Sequence, residues 1–207
     1  MKILFQGDSI TDMHRSREND EIFGIGYALL VKAALGLEAP GEYKFINRGN
    51  AGNRIDDLYS RIKKDIINHR PDVMSILIGV NDVWHDFYDE PNGVSAERYY
   101  KIYDILIEEV KSALPNIKIM IMEPFILKAS ATEDNWECFK EELIKRARMA
   151  KKIAEKYDLP FIELQEGFDR LAKIMPANYW LEDGVHPTAA GHEYIKNQWI
   201  KTFKTIL

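Results

Sequence analysis

The sequence predicts an α/β protein, a parallel sheet with helices on both faces. Three observations point there. Apolar runs of strand length recur along all 207 residues. The segments between them carry apolar residues at helical spacing, and that strand–helix alternation is how parallel sheets are built. One run, Val73–Ile78, is nearly all apolar, as a strand buried on both faces must be.

In chain order, Lys2–Gln6 reads as the first strand. Gly26–Leu35 follows as a helix with Tyr27, Leu30, Val31 and Ala34 at helical spacing, and Gly36 is expected to end it. Tyr43–Asn47 is the second strand. Arg54–Ile67 is a helix presenting Ile55, Leu58, Ile62 and Ile66 on one face, and Pro71 ends the connection to the third strand. Ala96–Ala113, Trp136–Tyr157 and Thr188–Thr205 read as helices, Ile117–Met122 and Phe161–Glu163 as the fourth and fifth strands. Neither a repeat nor a low-complexity tract nor a linker interrupts the series, so residues 1–207 are expected to form one domain.

Composition narrows the function. With 46% hydrophobic residues the chain can build a substantial core, and its net charge of −5, with Lys and Arg dispersed, gives no basic stripe for nucleic acid. Cys138 is the only cysteine, which excludes an internal disulfide and a cysteine-built metal site. Met1 leads directly into the first strand without a signal-peptide pattern, and no apolar segment approaches transmembrane length. A cytoplasmic protein without a membrane partner is expected.

The connections are uneven. Helix-to-strand links are short, whereas Asp12–Ile25, Gly79–Ser95 and Glu123–Asn135 are long. Long loops in a compact domain are usually functional, and these all leave the carboxyl ends of strands, where open α/β sheets bind ligands. Four blocks fall on that rim. Gly7-Asp8-Ser9-Ile10-Thr11 offers a hydroxyl at the end of the first strand. Asn47-Arg48-Gly49-Asn50-Ala51-Gly52-Asn53-Arg54 offers two glycines and backbone N–H groups beside a helix start. Gly79-Val80-Asn81-Asp82 offers an amide donor. Asp183-Gly184-Val185-His186-Pro187 offers an imidazole with a carboxylate in the same turn, able to curl back onto Nδ1. Each block alone also fits an ordinary turn or helix cap. Together they supply a nucleophile, a base, an orienting carboxylate and oxyanion donors. His14, His69, His85 and His192 lack such a partner and are expected to be ordinary, partly exposed polar residues.

These four blocks, in this order and spanning the chain, resemble those of the SGNH (GDSL) hydrolases. Gly7-Asp8-Ser9-Ile10-Thr11-Asp12, Arg15 and Arg17, Gly24-Ile25-Gly26-Tyr27 and Ile78-Gly79-Val80-Asn81-Asp82-Val83-Trp84 are most similar to the intracellular acetylxylan esterases. Ile10 replaces the leucine of the GDSL pattern, a change of apolar shape away from the chemistry.

The resemblance implies a three-layer α/β/α sandwich around a flavodoxin-like, five-stranded parallel sheet. It implies Ser9 as nucleophile with His186 and Asp183 as partners, and an oxyanion hole from Ser9, Gly52 and Asn81. The reaction implied is removal of acetyl groups from carbohydrate esters such as acetylated xylo-oligosaccharides, with no metal or other cofactor. Self-association into a homo-oligomer also fits the resemblance. Asp8, Trp84 and Trp180 are the expected substrate contacts, since rim aromatics can stack on sugar rings. Arg15, Arg17 and Arg54 could bind a charged substrate or pair with nearby Asp12, Asp56 and Asp57, and ordinary surface pairing is the expected reading. Alternatives are a short-chain acyl esterase or a lysophospholipase- or thioesterase-type hydrolase, a metal-dependent phosphohydrolase built on Asp8, Asp12, Asp82 and Asp86, and a binding module without activity.

Overall fold

Five strands, β1 (Lys2–Gly7), β2 (Lys44–Asn47), β3 (Val73–Leu77), β4 (Lys118–Met122) and β5 (Phe161–Ile162), form one sheet in the computed structural model, which describes residues 1–207. Their order is β2-β1-β3-β4-β5 and every pairing is parallel, with Ile3 opposite both Phe45 and Val73, and Ile121 opposite Phe161. The order reverses between β1 and β3. That makes their carboxyl ends the switch point at which open parallel sheets bind ligands.

Strand alternation sorts the core into two layers. Ile3 and Phe5 of β1, Leu77 of β3 and Met120 and Met122 of β4 face α2 (Tyr27–Glu38) and α10 (Ala189–Phe203), packing with Val31, Leu35, Ile195, Trp199 and Phe203. Leu4, Met74, Ile76, Ile119 and Ile121 face the other way. They meet α3 (Ile55–Ser60), α4 (Ile62–Asp65), α6 (Ala96–Ala113) and the second half of α7 (Trp136–Tyr157). The first half of α7 turns Phe139 and Leu143 into the opposite layer. The result is the expected three-layer sandwich. No helix is long and apolar enough to cross a membrane.

Two helix readings need correction. α2 continues through Gly36 to Glu38, and Pro40, with its fixed φ and missing N–H, stops it instead. Gly36 faces open space, so nothing there requires a glycine. The single helix expected over Arg54–Ile67 is broken at Arg61 (φ −112°, ψ 14°) into α3 and α4, with a 3₁₀ turn over Ile67–His69. Periodicity survives the break, because Ile55, Leu58, Ile62 and Ile66 are all buried. Four short helices, α1 (Ser9–Asp12), α5 (Val80–Trp84), α8 (Gln165–Leu171) and α9 (Ala177–Trp180), lie in segments where the sequence predicts no helix; none is long enough to show a period.

Trp199 sits at the centre of the first layer, stacked on Phe203 at 5.0 Å and tilted against Phe5 at 5.2 Å. Removing so large a buried ring leaves a cavity that such a layer cannot fill. Trp199→Ala is expected to cost about 3 kcal/mol or more of stability, measured by urea unfolding at unchanged m-value. A loss below about 1 kcal/mol would mean that this contact is not central.

Candidate active site

The first strand delivers Ser9. β1 ends at Gly7, where a Cβ would meet the Leu77 carbonyl at 2.3 Å and Thr11 Oγ1 at 2.5 Å, so only glycine fits the exit turn. Asp8 then caps α1, its Oδ1 accepting from the Ile10 N–H at 3.0 Å. Ser9 follows, partly exposed on the rim. As the first residue of α1 it has a backbone N–H with no helical acceptor.

The loop after β2 is pinned against this turn. Asn47 does most of it. Its Oδ1 accepts from Gly49 N–H at 2.9 Å, and its Nδ2 donates to the Thr11 carbonyl at 2.7 Å and the Phe23 carbonyl at 3.1 Å. The Asn50 N–H reaches the Gly7 carbonyl at 3.0 Å, and Asp12 Oδ2 accepts from Ala51 N–H at 2.9 Å. Gly52, at φ +79°, faces open space and donates its N–H to no protein acceptor. Arg61 locks the arrangement from beneath. Its Nε donates to Asn53 Oδ1 at 2.8 Å, Nη1 to the Arg48 carbonyl at 2.8 Å and Nη2 to the Gly7 carbonyl at 3.3 Å, while Asp65 holds its charge at 2.7 Å. Sequence reasoning missed Arg61, which reads as one more polar face residue.

Behind β3, Asn81 is buried and donates one Nδ2 hydrogen to the Asn53 carbonyl at 3.1 Å, leaving the other unspent. Its neighbour Asp82 accepts from the Ile55 N–H at 3.1 Å and so caps α3; burial pushes its carboxyl up to about 8. The third block is therefore tied to the second.

The fourth block closes on itself. Leu181 and Pro187 form an antiparallel bridge around it, and Gly184, at φ +97°, lies where a Cβ would strike the Leu127 carbonyl at 2.4 Å. Asp183 Oδ1 accepts from the Val185 and His186 N–H groups, both at 2.8 Å, and its Oδ2 meets His186 Nδ1 at 2.7 Å. His186 Nε2 lies 3.0 Å from Ser9 Oγ. A carboxylate at Nδ1 puts the ring proton there and leaves Nε2 free to accept from the serine hydroxyl. Burial acts to raise the Asp183 carboxyl, but its bonds to His186 and Val185 overcome this and hold it down at about 2. The hydrogen bond that His186 donates to Asp183 raises the imidazole above its ordinary value, against the effect of burial.

These groups open onto a cavity of about 460 Å³ bordered by Ser9, His186, Asp183, Arg15, Ala51 and Glu182, among others. Trp84 does not border this cavity; it packs partly buried against the first core layer, 5.8 Å between ring centres from His186. The other two expected substrate contacts are also placed elsewhere. Asp8 is buried beneath Ser9, and burial pushes its carboxyl up to about 7 against the opposing Ile10 N–H and His186. Trp180 packs against the first core layer with its Nε1 buried and unpartnered. His192 also differs from expectation. It is buried, accepts the Tyr27 N–H on Nδ1 at 3.1 Å, and is pushed down to about 4 by burial. No group of three or more His, Cys, Asp or Glu is placed to hold a metal ion. Of the four carboxylates considered for that chemistry, Asp8 and Asp82 serve as caps, Asp12 is bound by Arg17, and Asp86 lies on the exposed surface.

Known proteins share this architecture. The chain is 31% identical over 207 residues to an acetylxylan esterase of Geobacillus stearothermophilus, covering 97% of this chain and 92% of that one. The crystal structure of that esterase superposes with a TM-score of 0.86 at 30% identity, covering 97% and 93% of the two chains. A GDSL-like protein of Parabacteroides merdae superposes with a TM-score of 0.90 at 39% identity, covering 97% and 94%. Catalytic mutants of the Geobacillus enzyme, at a serine, an aspartate and a histidine, are among the structural neighbours. The family model of the GDSL-like lipases and acylhydrolases matches residues 5–194. The chain belongs to that family and is a carboxylic-ester hydrolase.

Proposed function

We propose that the enzyme removes acetyl groups from carbohydrate esters such as acetylated xylo-oligosaccharides, through an acyl-enzyme on Ser9. The observation that carries this is the unbroken line of short contacts from Ser9 Oγ through His186 to Asp183, opening onto a cavity. Ser9 Oγ attacks the ester carbonyl while His186 Nε2 takes its proton. The carbonyl oxygen becomes an anion facing three donors that the fold leaves free: the Ser9 N–H, the Gly52 N–H and the second Asn81 Nδ2 hydrogen. His186 returns the proton to the departing alcohol. Water, deprotonated by the same imidazole, then attacks the acyl-serine and releases acetate, restoring the hydroxyl. Asp183 steadies the imidazolium at each stage.

The carbohydrate half of the reading is supported by the relatives. The Geobacillus enzyme is described both as an acetylxylan esterase and as an acetyl-xylooligosaccharide esterase. Trp84 adds an aromatic face beside the imidazole, of the kind that stacks on sugar rings.

Acetate release from a panel of acetylated xylosides, against esters of longer acyl chains, tests the substrate. A preference for long chains would move the enzyme to a lipid or thioester role. On the best substrate, Ser9→Ala and His186→Ala should each lower turnover by several orders of magnitude, because the groups act as a unit. Asn81→Ala should lower it about 10²–10³-fold, and normal turnover in that variant removes Asn81 from the oxyanion site.

The pH dependence follows from the sign of the His186 shift. The imidazole must be neutral to accept the serine proton, and Asp183 raises its pKa. The acidic limb of kcat/KM should therefore lie above the ordinary histidine value of about 6.5. In Asp183→Asn the limb should move to lower pH as the rate falls. An acidic limb that stays in place in that variant would assign it to another group.

A further inference from the structure

Arg15 stands out among the cations around the site. Arg17 is held by Asp12 at 2.5 Å, Arg48 by Asp20 at 2.6 Å, Arg54 by Asp57 at 3.0 Å and Arg61 by Asp65 at 2.7 Å. Arg15 makes no ion pair. It was expected to pair with a neighbouring aspartate, but Arg17 has taken Asp12. Its Nε donates to the Gly49 carbonyl at 2.7 Å and its Nη1 to the Ser16 carbonyl at 3.2 Å, which fixes the guanidinium plane, and Nη2 donates to no protein group.

The guanidinium is partly buried and borders the same cavity as Ser9 and His186. The chain takes an unusual path to put it there. Met13 and His14, directly before it, both have positive φ, at +35° and +65°. Non-glycine residues rarely adopt that region, and persist there where the surroundings impose it. Burial and the neighbouring Arg17 push the Arg15 guanidinium down to about 10, so its charge survives at neutral pH without a protein counterion. The other charges on the cavity are the Asp12–Arg17 pair, Asp183 against His186, and Glu182. The last is exposed, where solvent screens it.

A fixed, partly desolvated, unpaired guanidinium is built to take an anion, and its planar fork matches a carboxylate. We propose that Arg15 binds a carboxylate on the alcohol half of the ester, making an O-acetylated uronic-acid-containing oligosaccharide the preferred substrate class. This rests on the carbohydrate-ester reading. An acetyl group fills little of a cavity of about 460 Å³, so the wall bearing Arg15 is left to the sugar.

The test compares acetate release from acetylated methyl glucuronide and acetylated methyl glucoside, with p-nitrophenyl hemisuccinate against p-nitrophenyl acetate as a second pair. The wild-type kcat/KM should favour the uronate over the glucoside about tenfold or more, through KM, with the preference shrinking as salt is raised. Arg15→Ala should abolish that ratio and Arg15→Glu invert it. Because Arg15 also holds the Gly49 carbonyl, Arg15→Lys and competitive inhibition of the wild type by free methyl glucuronide, against methyl glucoside, give readouts that keep a long cation in place. Lysine should retain part of the preference, and the glucuronide should inhibit more strongly. Cleavage of both sugars without a preference, or equal losses on both in Arg15→Ala, overturns the inference while leaving the esterase reading intact. So does a preference seen only for the hemisuccinate, which would put the anion on the acyl half. Failure to cleave either sugar while p-nitrophenyl acetate is hydrolysed overturns the carbohydrate reading, and this inference with it.

Discussion

Parallel pairing is the constraint on which the site depends. With all five strands running the same way, every strand-to-helix link emerges on one edge, and the reversal of strand order between β1 and β3 opens a crevice there. Ser9, near one end of the chain, and His186, near the other, are separated by 177 positions and yet meet at 3.0 Å. Neither has to reach far. Ser9 is the first residue past Asp8 at the end of a central strand, and His186 is held in a bridged turn just before the closing helix.

The rim is made rigid by hydrogen bonds between the blocks as much as within them. Asn47, Arg61 and Asn81 each join two or more loops, and every bond they make to a backbone carbonyl removes a polar group that would otherwise be buried unpaired. Donors aimed at an anion work by being fixed before it forms. The tight glycines serve the same end. Gly7 and Gly184 sit where the backbone of another segment leaves no room for a side chain, the end of β3 at Gly7 and the Leu127 carbonyl at Gly184.

Much of this was legible in the amino-acid sequence. The strands are short apolar runs and the long helices carry clear periodicity, so Val73–Leu77, Ala96–Ala113 and Trp136–Tyr157 stand within a residue of their expected bounds. The histidine–aspartate contact was legible because both partners lie in one turn. What could not be read depends on distant partners. Arg61 sits at the break in a well-formed helical pattern and reaches Asn53 and Gly7, partners far from it in sequence or on another element. Asp8, expected to touch substrate, is a buried cap on α1, and His192, which looks like a surface polar residue, is buried with its Nδ1 accepting from the Tyr27 N–H. Trp180 lies on a rim segment by sequence, but packing against the core wins, as it commonly does for a large aromatic ring. Arg15 and Arg17 are alike in sequence, and only the fold decides which of them Asp12 receives.

The most direct measurement of the central claim is covalent labelling of the folded enzyme with a sulfonyl fluoride, followed by peptide mapping. The account predicts a single adduct on Ser9, formed in the native protein and absent after unfolding, because only the assembled rim places His186 where it can take the hydroxyl proton. Absence of an adduct from the folded enzyme, or labelling of another hydroxyl such as Ser16 in place of Ser9, would contradict it.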